Sequence, residues 1–346
     1  MNPTDALIAL YIEDIRLLSP GFKQIIFSDE HRISWQPGQF LIIVDQPGPN
    51  ALRRSYSIIS DPGSGEKLAI AVKRIDNGFF SRFLTDRAVK GDRLLTIGAA
   101  GRFLLPDNTT VRRLYFFAAG SGIAPIISLL KAALRKETAE KIFLIYSNHS
   151  HRYVPFRDEL ENLSHKHSSR FTIQYHFSDA MDIRQARLTR DTVLSLLDQE
   201  PAAYANDFFY CCGPVSYMRR IIFVLREYGI PSSHIRKEEF VVNRAALPSH
   251  RPPDLRPHAV TIQAKSKIYH FIAGYPHPIL RAAIRAGFDL PYSCETGRCG
   301  SCAARCIQGT VWMSENEVLT PTDISNGIVL TCTGYPVDGD VILRLD

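Results

Sequence analysis

The chain has 346 residues and a formal net charge of +6 at pH 7. This length predicts two or three domains, because single domains usually hold ~100 to 200 residues. No apolar run reaches the ~18 residues of a membrane-spanning helix, and no basic segment opens the N-terminus as in a signal peptide. Lysine and arginine form no run long enough to indicate nucleic-acid binding. The seven cysteines lack the spacing of a secreted disulfide framework, so we expect a cytoplasmic protein.

The first hundred residues have the composition of short β-strands. Stretches such as ALIALYIEDI, FLIIV, SYSIIS and LAIAVKRI are separated by the turn sequences PGQ, PGPN and DPGSG. One short helix is expected after Phe80, over SRFLTDRA. We therefore predict an antiparallel β-barrel domain for residues 1–106.

The next segment alternates apolar runs with helical patterns. The runs are LYFFAA, KIFLIY, FTIQYHF, DFFYCC and HIRKEEF. Helical segments are expected to begin at Pro125, Phe156, Asp191 and Pro214. This alternation predicts an α/β domain with a five-stranded parallel sheet over residues 107–243.

Residues 244–257, RAALPSHRPPDLRP, contain four prolines. Such a segment favours neither a helix nor a central strand, so we predict an extended linker between domains. The remaining residues, 258–346, would then form a third domain.

Four cysteines of this third domain have the spacing C-x4-C-x2-C, with a fourth thirty positions later, which is typical of plant-type [2Fe-2S] ferredoxins. They are Cys294, Cys299, Cys302 and Cys332. Gly297 and Gly300 would let the loop wrap closely and direct N–H groups at the sulfurs. The pattern predicts that these four cysteines hold a two-iron cluster.

A zinc site and disulfides are the alternatives for these cysteines. Zinc sites usually pair two short cysteine motifs, whereas Cys332 stands alone in the apolar stretch IVLTC. Cys306 lies outside the four-ligand pattern, and we interpret it as a small buried apolar residue.

Two motifs of the barrel segment indicate binding. Arg54-Ser55-Tyr56-Ser57 has the pattern R-x-Y-S in a predicted strand, where strict alternation would separate Arg54 and Tyr56 from the two serines. Gly78-Phe79-Phe80-Ser81 is a glycine turn that enters a helix, where free N–H groups suit a phosphate. Two roles for Ser81 stay open, contact with the phosphate and N-cap of the helix.

Two motifs of the α/β segment also lie at strand ends. The sequence from Gly120 to Pro125 has the pattern G-x-G-x-x-P between a strand and a helix, which favours a pyrophosphate turn. Cys212-Gly213-Pro214 ends the fourth predicted strand. We expect the neighbouring Cys211 to face the opposite side of this strand, in the core.

The barrel and α/β segments resemble the ferredoxin-NADP reductase superfamily. The sequences PGQF and AVKRIDNGFFSRFLTDRAVKGD, which flank R-x-Y-S, are part of this resemblance. Residues from about Val260 onward resemble plant-type ferredoxins, which implies an α+β, β-grasp fold. The order of the three modules is similar to that of phenylacetyl-CoA epoxidase reductases and related oxygenase reductases. The resemblance implies FAD, a [2Fe-2S] cluster and a pyridine nucleotide as cofactors. FAD is expected over FMN because Arg54 and the glycine turn suit a pyrophosphate.

The resemblance also implies roles for single residues of the flavin domain. In that family the tyrosine of R-x-Y-S packs on the isoalloxazine, the following serine bonds near N5 and the arginine neutralises the pyrophosphate. The matching positions are Tyr56, Ser57 and Arg54. Further flavin contacts are implied at Val72, Lys73, Gly78, Phe79, Phe80 and Ser81.

For the nicotinamide domain, the resemblance implies a pyrophosphate turn at Gly120, Gly122, Ile123 and Pro125. It places Cys212, Gly213 and Pro214 beside the nicotinamide ring, and an acid-x-F pair, Glu238 and Phe240, at the end of the domain. Ser57, Cys212 and Glu238 would form the catalytic centre.

Where many relatives read YGNR, this chain has Tyr146-Ser147-Asn148-His149. Residues 147–152 offer donors and no acid, which favours a 2′-phosphate, so we expect NADPH, with NADH possible. Asn148 and Arg152 are the predicted contacts, and a solvated polar loop is the alternative.

The expected function is an NAD(P)H:acceptor oxidoreductase that passes electrons through FAD and the cluster to a protein such as an oxygenase component. A flavin is needed because nicotinamide gives electrons in pairs, whereas iron centres take them singly. Two alternatives stay open at this point. One is a non-catalytic redox sensor, and the other is a flavin reductase or oxidase that ends on O2.

Overall fold

The computed structural model describes eight stretches of the chain, and all structural statements refer to these residues. They are 7–46, 51–106, 111–182, 186–198, 206–240, 251–264, 267–288 and 290–345. Three β-sheets of six, five and five strands follow one another along the chain.

The first sheet is built from six antiparallel strands and curls into a barrel. They are β1 (Ile8–Ser19), β2 (Phe22–Phe27), β3 (Phe40–Val44), β4 (Arg53–Ser57), β5 (Ala69–Lys73) and β6 (Arg93–Ala100). The edge strands β4 and β5 meet through a bridge between Ile58 and Ile70, and apolar side chains fill the interior. The short helix α1 (Phe79–Arg82) continues into a π-helical turn, Phe83–Arg87. The antiparallel fold predicted for this domain is confirmed.

The second sheet is parallel throughout, in the order β11-β10-β7-β8-β9. Its strands are β7 (Val111–Ala119), β8 (Ala139–Asn148), β9 (Phe171–Phe177), β10 (Asp207–Cys212) and β11 (Ile235–Glu238). The helices beside it are α2 (Ile123–Lys136), α3 (Arg157–Lys166), α4 (Arg190–Asp198) and α5 (Val215–Glu227). Two separate apolar clusters cover its two faces, which confirms the predicted α/β architecture.

The two faces of β10 show how this sheet divides its core. Cys212 belongs to the apolar cluster on the α2 side, whereas Cys211 belongs to the cluster on the α5 side, as predicted for Cys211. At the start of the same strand, Asp207 accepts a bond of 2.6 Å from Arg113 of β7, and both side chains are buried. This buried pair joins two central strands.

The third sheet is mixed, in the order β13-β12-β16-β14-β15, and only β12 and β16 pair in parallel among the strands described. The strands are β12 (His258–Ala264), β13 (Lys267–Ala273), β14 (Ala303–Met313), β15 (Ile328–Leu330) and β16 (Gly334–Leu345). Two short helices, α6 (Ile279–Arg285) and α7 (Pro321–Ser325), complete an α+β domain of the predicted class.

Polar contacts join the three domains. Helix α2 meets the barrel through Arg135, whose Nε lies 2.7 Å from Asp61. The ferredoxin-like domain meets the barrel through Arg102 and Asp323, 2.6 Å apart. Residues 251–257 of the proline-rich segment form neither helix nor strand, and residues 244–250 lie outside the described part of the chain.

In the described part of the chain, none of the helices combines the length and the apolar character that crossing a membrane requires.

Candidate active site and metal centre

A cavity of about 950 Å³ lies between the barrel and the parallel sheet. Its volume is in the range of cofactor sites, ~300 to 1,000 Å³. Most of the predicted flavin and coenzyme residues line it. They are Arg54, Tyr56, Ser57, Lys73, Gly78, Phe79, Phe80, Ser81, Gly120, Asn148, Gly213, Pro214 and Phe240. The structure therefore brings two distant stretches of sequence to one site.

Strand β4 supplies the barrel side of this cavity. The Tyr56 ring is half-buried, and its burial raises the pKa of the phenol. The Arg54 guanidinium is exposed to the cavity, and its Nη1 donates to the Arg53 carbonyl at 2.7 Å. Both serines of the motif also line the cavity, so the strict alternation expected for this strand does not hold at its end. An aromatic face, hydroxyls and a cation suit a flat ring with a pyrophosphate.

The turn before α1 supplies a second wall. Gly78 is the N-cap residue of α1, and the Ser81 hydroxyl bonds back to the Ile75 backbone N–H at 3.2 Å. The N-cap role considered for Ser81 is therefore wrong, because Ser81 lies inside the helix. Lys73 faces the cavity, whereas Val72 points into the barrel core and is fully buried.

Two strand-to-helix turns form the wall on the side of the parallel sheet. A Cβ atom on Gly122 would lie 2.1 Å from the Cys212 carbonyl oxygen, so only glycine lets these turns pack. Gly120 has a φ of 54° and lines the cavity. Ile123 and Pro125 are buried behind it and shape the wall without facing the cavity.

Cys212 and Glu238 are register partners on adjacent parallel strands. Burial, followed by the nearby carboxyl of Glu238, raises the pKa of the Cys212 thiol well above its ordinary value. Burial also raises the pKa of Glu238 to about 8, so this carboxyl is mostly protonated at pH 7. Neither side chain lines the cavity, although Gly213 and Glu239 beside them do. Of the three predicted catalytic residues, the structure places Ser57 alone at the cavity surface.

Several cavity residues were missed by the sequence analysis. Arg187 follows the third strand of the parallel sheet, and Ser216, Tyr217 and Arg220 lie on the cavity face of α5. Residues spaced by one and four positions lie close to one another on a helix, so the sequence could have indicated that these three polar side chains share one face. Arg152 lies in the exposed turn His151–Tyr153 and does not line the cavity. The expected contact between Arg152 and the coenzyme has no support in this geometry.

The four cysteines predicted as cluster ligands come together at one end of the third domain. Cys294, Cys302 and Cys332 are buried, and Cys299 is half-buried. Each thiol lies close enough to at least one other thiol of the group to affect its pKa. Contact with Cys299 lowers the pKa of the Cys294 thiol.

The group consists of cysteine side chains alone. Within the described residues, no three histidine, cysteine or acidic side chains converge as they would around a single ion. Four cysteine ligands are the set that a plant-type [2Fe-2S] cluster uses. All seven cysteines are free thiols, so the structure contains no disulfide among them.

The backbone of the cluster loop fits this centre. Gly297 and Gly300 have φ values of 73° and 71°, in the left-handed region that favours glycine. The Thr296 N–H donates to the Cys294 sulfur at 3.4 Å, and the Gly297 N–H is directed at Cys332. Such N–H groups stabilise the more negative, reduced cluster. Cys306 lies on β14 outside this group and is half-buried, so it is less buried than expected.

Three family models match successive parts of the chain. Residues 13–104 match the oxidoreductase FAD-binding domain, residues 116–222 the oxidoreductase NAD-binding domain, and residues 272–337 the 2Fe-2S iron-sulfur cluster binding domain. The chain therefore contains an FAD-binding domain, an NAD-binding domain and a 2Fe-2S cluster binding domain, in this order along the sequence.

Curated relatives match this chain over about nine tenths of both sequences. The ferredoxin reductase component of 3-ketosteroid-9-alpha-monooxygenase from Rhodococcus rhodochrous is 29% identical over 327 residues, covering 91% of this chain and 90% of the relative. One of the subunits of 1,2-phenylacetyl-CoA epoxidase from Escherichia coli is 29% identical over 317 residues, covering 90% and 89%. The alignment with the solved structure of phthalate dioxygenase reductase covers 100% of both chains, with 22% sequence identity and a TM-score of 0.60. The two proteins therefore share the fold.

Proposed function

We propose that this protein is an NAD(P)H-dependent reductase that supplies electrons, one at a time, to the oxygenase component of a multicomponent oxygenase. The observation that carries the proposal is one cavity that is lined both by the R-x-Y-S strand and by Gly213 and Pro214 after β10. A flavin and a nicotinamide can meet only where both walls face the same space. Relatives named as parts of three different oxygenase systems support the oxygenase as acceptor.

The cofactors supply the redox chemistry, since a bound flavin takes an electron pair from nicotinamide and the cluster carries single electrons onward. The residues of this chain bind and orient them. The Tyr56 ring offers a face for the flavin, the Ser57 hydroxyl lies beside it, and Arg54 and Lys73 neutralise phosphate charge. Phe240, which is 44% exposed, covers the cavity from the end of the nicotinamide domain.

Glu238 and Cys212 are buried beneath the cavity surface, next to the lining residues Glu239 and Gly213. Burial raises the pKa of both groups, so the carboxyl and the thiol are mostly protonated at neutral pH. Neither group therefore adds a negative charge that would repel an electron-rich ring in the cavity.

NADPH is the proposed coenzyme, with Arg187 and Arg220 as the cations that meet its phosphates. Both are exposed and line the cavity on the side of the parallel sheet, as does Asn148 at the end of β8. Arg187 and Arg220 line the cavity and are therefore better placed to contact the phosphates than Arg152, which does not line it.

The domain boundaries proposed are a flavin domain of residues 1–106, a nicotinamide domain of 107–243, a linker of 244–257 and a ferredoxin-like domain of 258–346. The matched family segments all fall inside these limits. A cytoplasmic location is proposed because four of the seven cysteines are assigned to the cluster and none forms a disulfide, which fits a reducing compartment.

The test is steady-state turnover of the purified holoprotein with NADPH and either cytochrome c or O2 alone. A reductase should reduce cytochrome c much faster than it forms peroxide. Peroxide as the main product would favour an oxidase, and no turnover with either would favour a redox sensor.

A further inference from the structure

Strand β4 contacts the ferredoxin-like domain as well as the cavity. The Arg53 guanidinium carbon lies 3.9 Å from the centroid of the Tyr292 ring. Two residues further along the strand, the Ser55 hydroxyl oxygen lies 2.6 Å from that of Ser293. Arg53 and Ser55 of the barrel thus contact the consecutive residues Tyr292 and Ser293 of the ferredoxin-like domain.

The first of these contacts is well shielded from solvent. Arg53 is 8% exposed and Tyr292 is 6% exposed. A cation over an aromatic face is more favourable when both groups are desolvated, because water does not screen the attraction. The pair is therefore suited to fix one geometry between the barrel and the ferredoxin-like domain.

The position of these residues along the chain connects two cofactor sites. Tyr292 and Ser293 directly precede Cys294, the first cluster ligand. On the same strand, Arg54, Ser55 and Tyr56 line the cavity proposed for the flavin. Strand β4 is held along its length by β3, where Arg53 pairs with Val44 and Ser55 with Ile42.

We propose that the Arg53–Tyr292 and Ser55–Ser293 contacts position the cluster for electron transfer from the flavin, an inference that rests on the proposed function. One electron leaves the reduced flavin and one enters the oxidised cluster, while these residues form or break no covalent bond. They act by holding β4 against the segment before Cys294. Arg53 and Tyr292 are therefore positioning residues and do not take part in the chemistry.

The test compares Arg53→Met and Tyr292→Leu with the conservative variants Arg53→Lys and Tyr292→Phe. After mixing each holoprotein with NADPH, stopped-flow spectra separate flavin reduction from cluster reduction. The first two variants should slow cluster reduction by about tenfold or more, because small misplacements are costly in positioned reactions. The conservative variants keep the cation or the ring and should stay near the wild-type rate.

Two further readouts separate positioning from other effects. Hydrogen exchange of the segments 53–57 and 290–293 should increase in Arg53→Met and Tyr292→Leu, while the midpoint potentials of flavin and cluster stay unchanged. Ferricyanide reduction, which needs the flavin alone, should also stay unchanged. Arg93→Met, on the exposed start of β6, is the matched control and should behave as the wild type in every assay.

Wild-type rates of cluster reduction in Arg53→Met and Tyr292→Leu would overturn the proposal, as would an equal loss of ferricyanide reduction. These results differ from failure of the proposed function. In that case the wild-type holoprotein itself would not pass electrons from NADPH to its cluster.

Discussion

At the scale of single residues, the cysteines of the ferredoxin-like domain differ sharply from one another. Each of Cys294, Cys299, Cys302 and Cys332 interacts with another thiol of the group, whereas the Cys306 sulfur lies 3.5 Å from backbone oxygens of β14. Serine at any of the four positions should abolish or severely weaken the [2Fe-2S] absorption and EPR signals, because the thiolate ligand is lost. Cys306→Ser is the matched control and should keep both signals. Loss of iron from Cys306→Ser, with iron retained in Cys332→Ser, would show that the ligand set is wrong.

Glu238 predicts a particular dependence of stability on pH. Burial raises its pKa from 4.5 to about 8 in the folded protein, so between these values the folded state binds more protons than the unfolded state. The contribution of Glu238 to stability therefore falls as the pH rises from about 4.5 to 8, by at most ~1.4 kcal/mol per pH unit. Glu238→Gln has the same shape and no charge to bury. Melting temperatures across this range should fall less steeply with pH for Glu238→Gln than for the wild type, and parallel curves would contradict the assignment.

Arg187 predicts coenzyme selectivity. If this cation meets the 2′-phosphate, Arg187→Ala should raise the KM for NADPH by roughly tenfold to a hundredfold, since a charge-assisted contact contributes ~1.5 to 3 kcal/mol. The KM for NADH should change little. Arg152→Ala is the matched control, because its side chain does not line the cavity, and it should leave both constants unchanged. If Arg187→Ala raised the KM for NADPH and for NADH equally, the proposed contact between Arg187 and the 2′-phosphate would be wrong.

At the scale of elements, the packing of two strand-to-helix turns depends on Gly122. A methyl group there would lie 2.1 Å from the Cys212 oxygen, so Gly122→Ala should destabilise the protein by about 3 kcal/mol, near the upper end for overpacking. Gly229→Ala is the control. Its φ of 89° is unfavourable for alanine, but no atom lies within 4 Å of the added methyl, so a cost of about 1 kcal/mol is expected. Urea unfolding measures the free energy of unfolding of both variants. Equal decreases in this free energy would show that the turns are not tightly packed.

Most elements could be predicted from the sequence because their signals are local. The strands of the parallel sheet are near-continuous apolar runs, and their predicted positions agree with β7 to β11 within a few residues. The helix expected near Pro214 begins at Val215, with Pro214 as its N-cap. Glycine and proline residues in the sequence indicated where the strands and helices begin and end.

The site was less predictable where it depends on contacts between distant segments. The contact of Arg53 with Tyr292 joins residues from different domains, and no local pattern indicates it. The burial of Cys212 depends on how Gly122 packs against the end of β10, which a motif does not reveal. Arg187 was missed because no motif or periodic pattern in the sequence around it indicates a binding residue.

At the scale of the whole molecule, the ferredoxin-like domain is attached to both other domains by polar contacts such as Arg102–Asp323 and Arg298–Glu239, 2.6 and 3.7 Å apart. Every residue that lines the cavity belongs to the first two domains, so we expect the cavity walls to remain when the chain ends near Pro248. The truncated protein should retain FAD and reduce ferricyanide with NADPH, yet reduce cytochrome c poorly. Efficient cytochrome c reduction by the truncated protein would show that the cluster is not on the electron path.

The central claim is that electrons from NADPH reach the cluster through the flavin. The most direct measurement is anaerobic reduction of the full-length holoprotein with NADPH, with flavin followed by absorbance and cluster by EPR of samples frozen at successive times. Loss of flavin absorbance should precede the EPR signal of the reduced [2Fe-2S] cluster, and both should appear without any added protein. A flavin that becomes fully reduced while the cluster stays oxidised would contradict the claim.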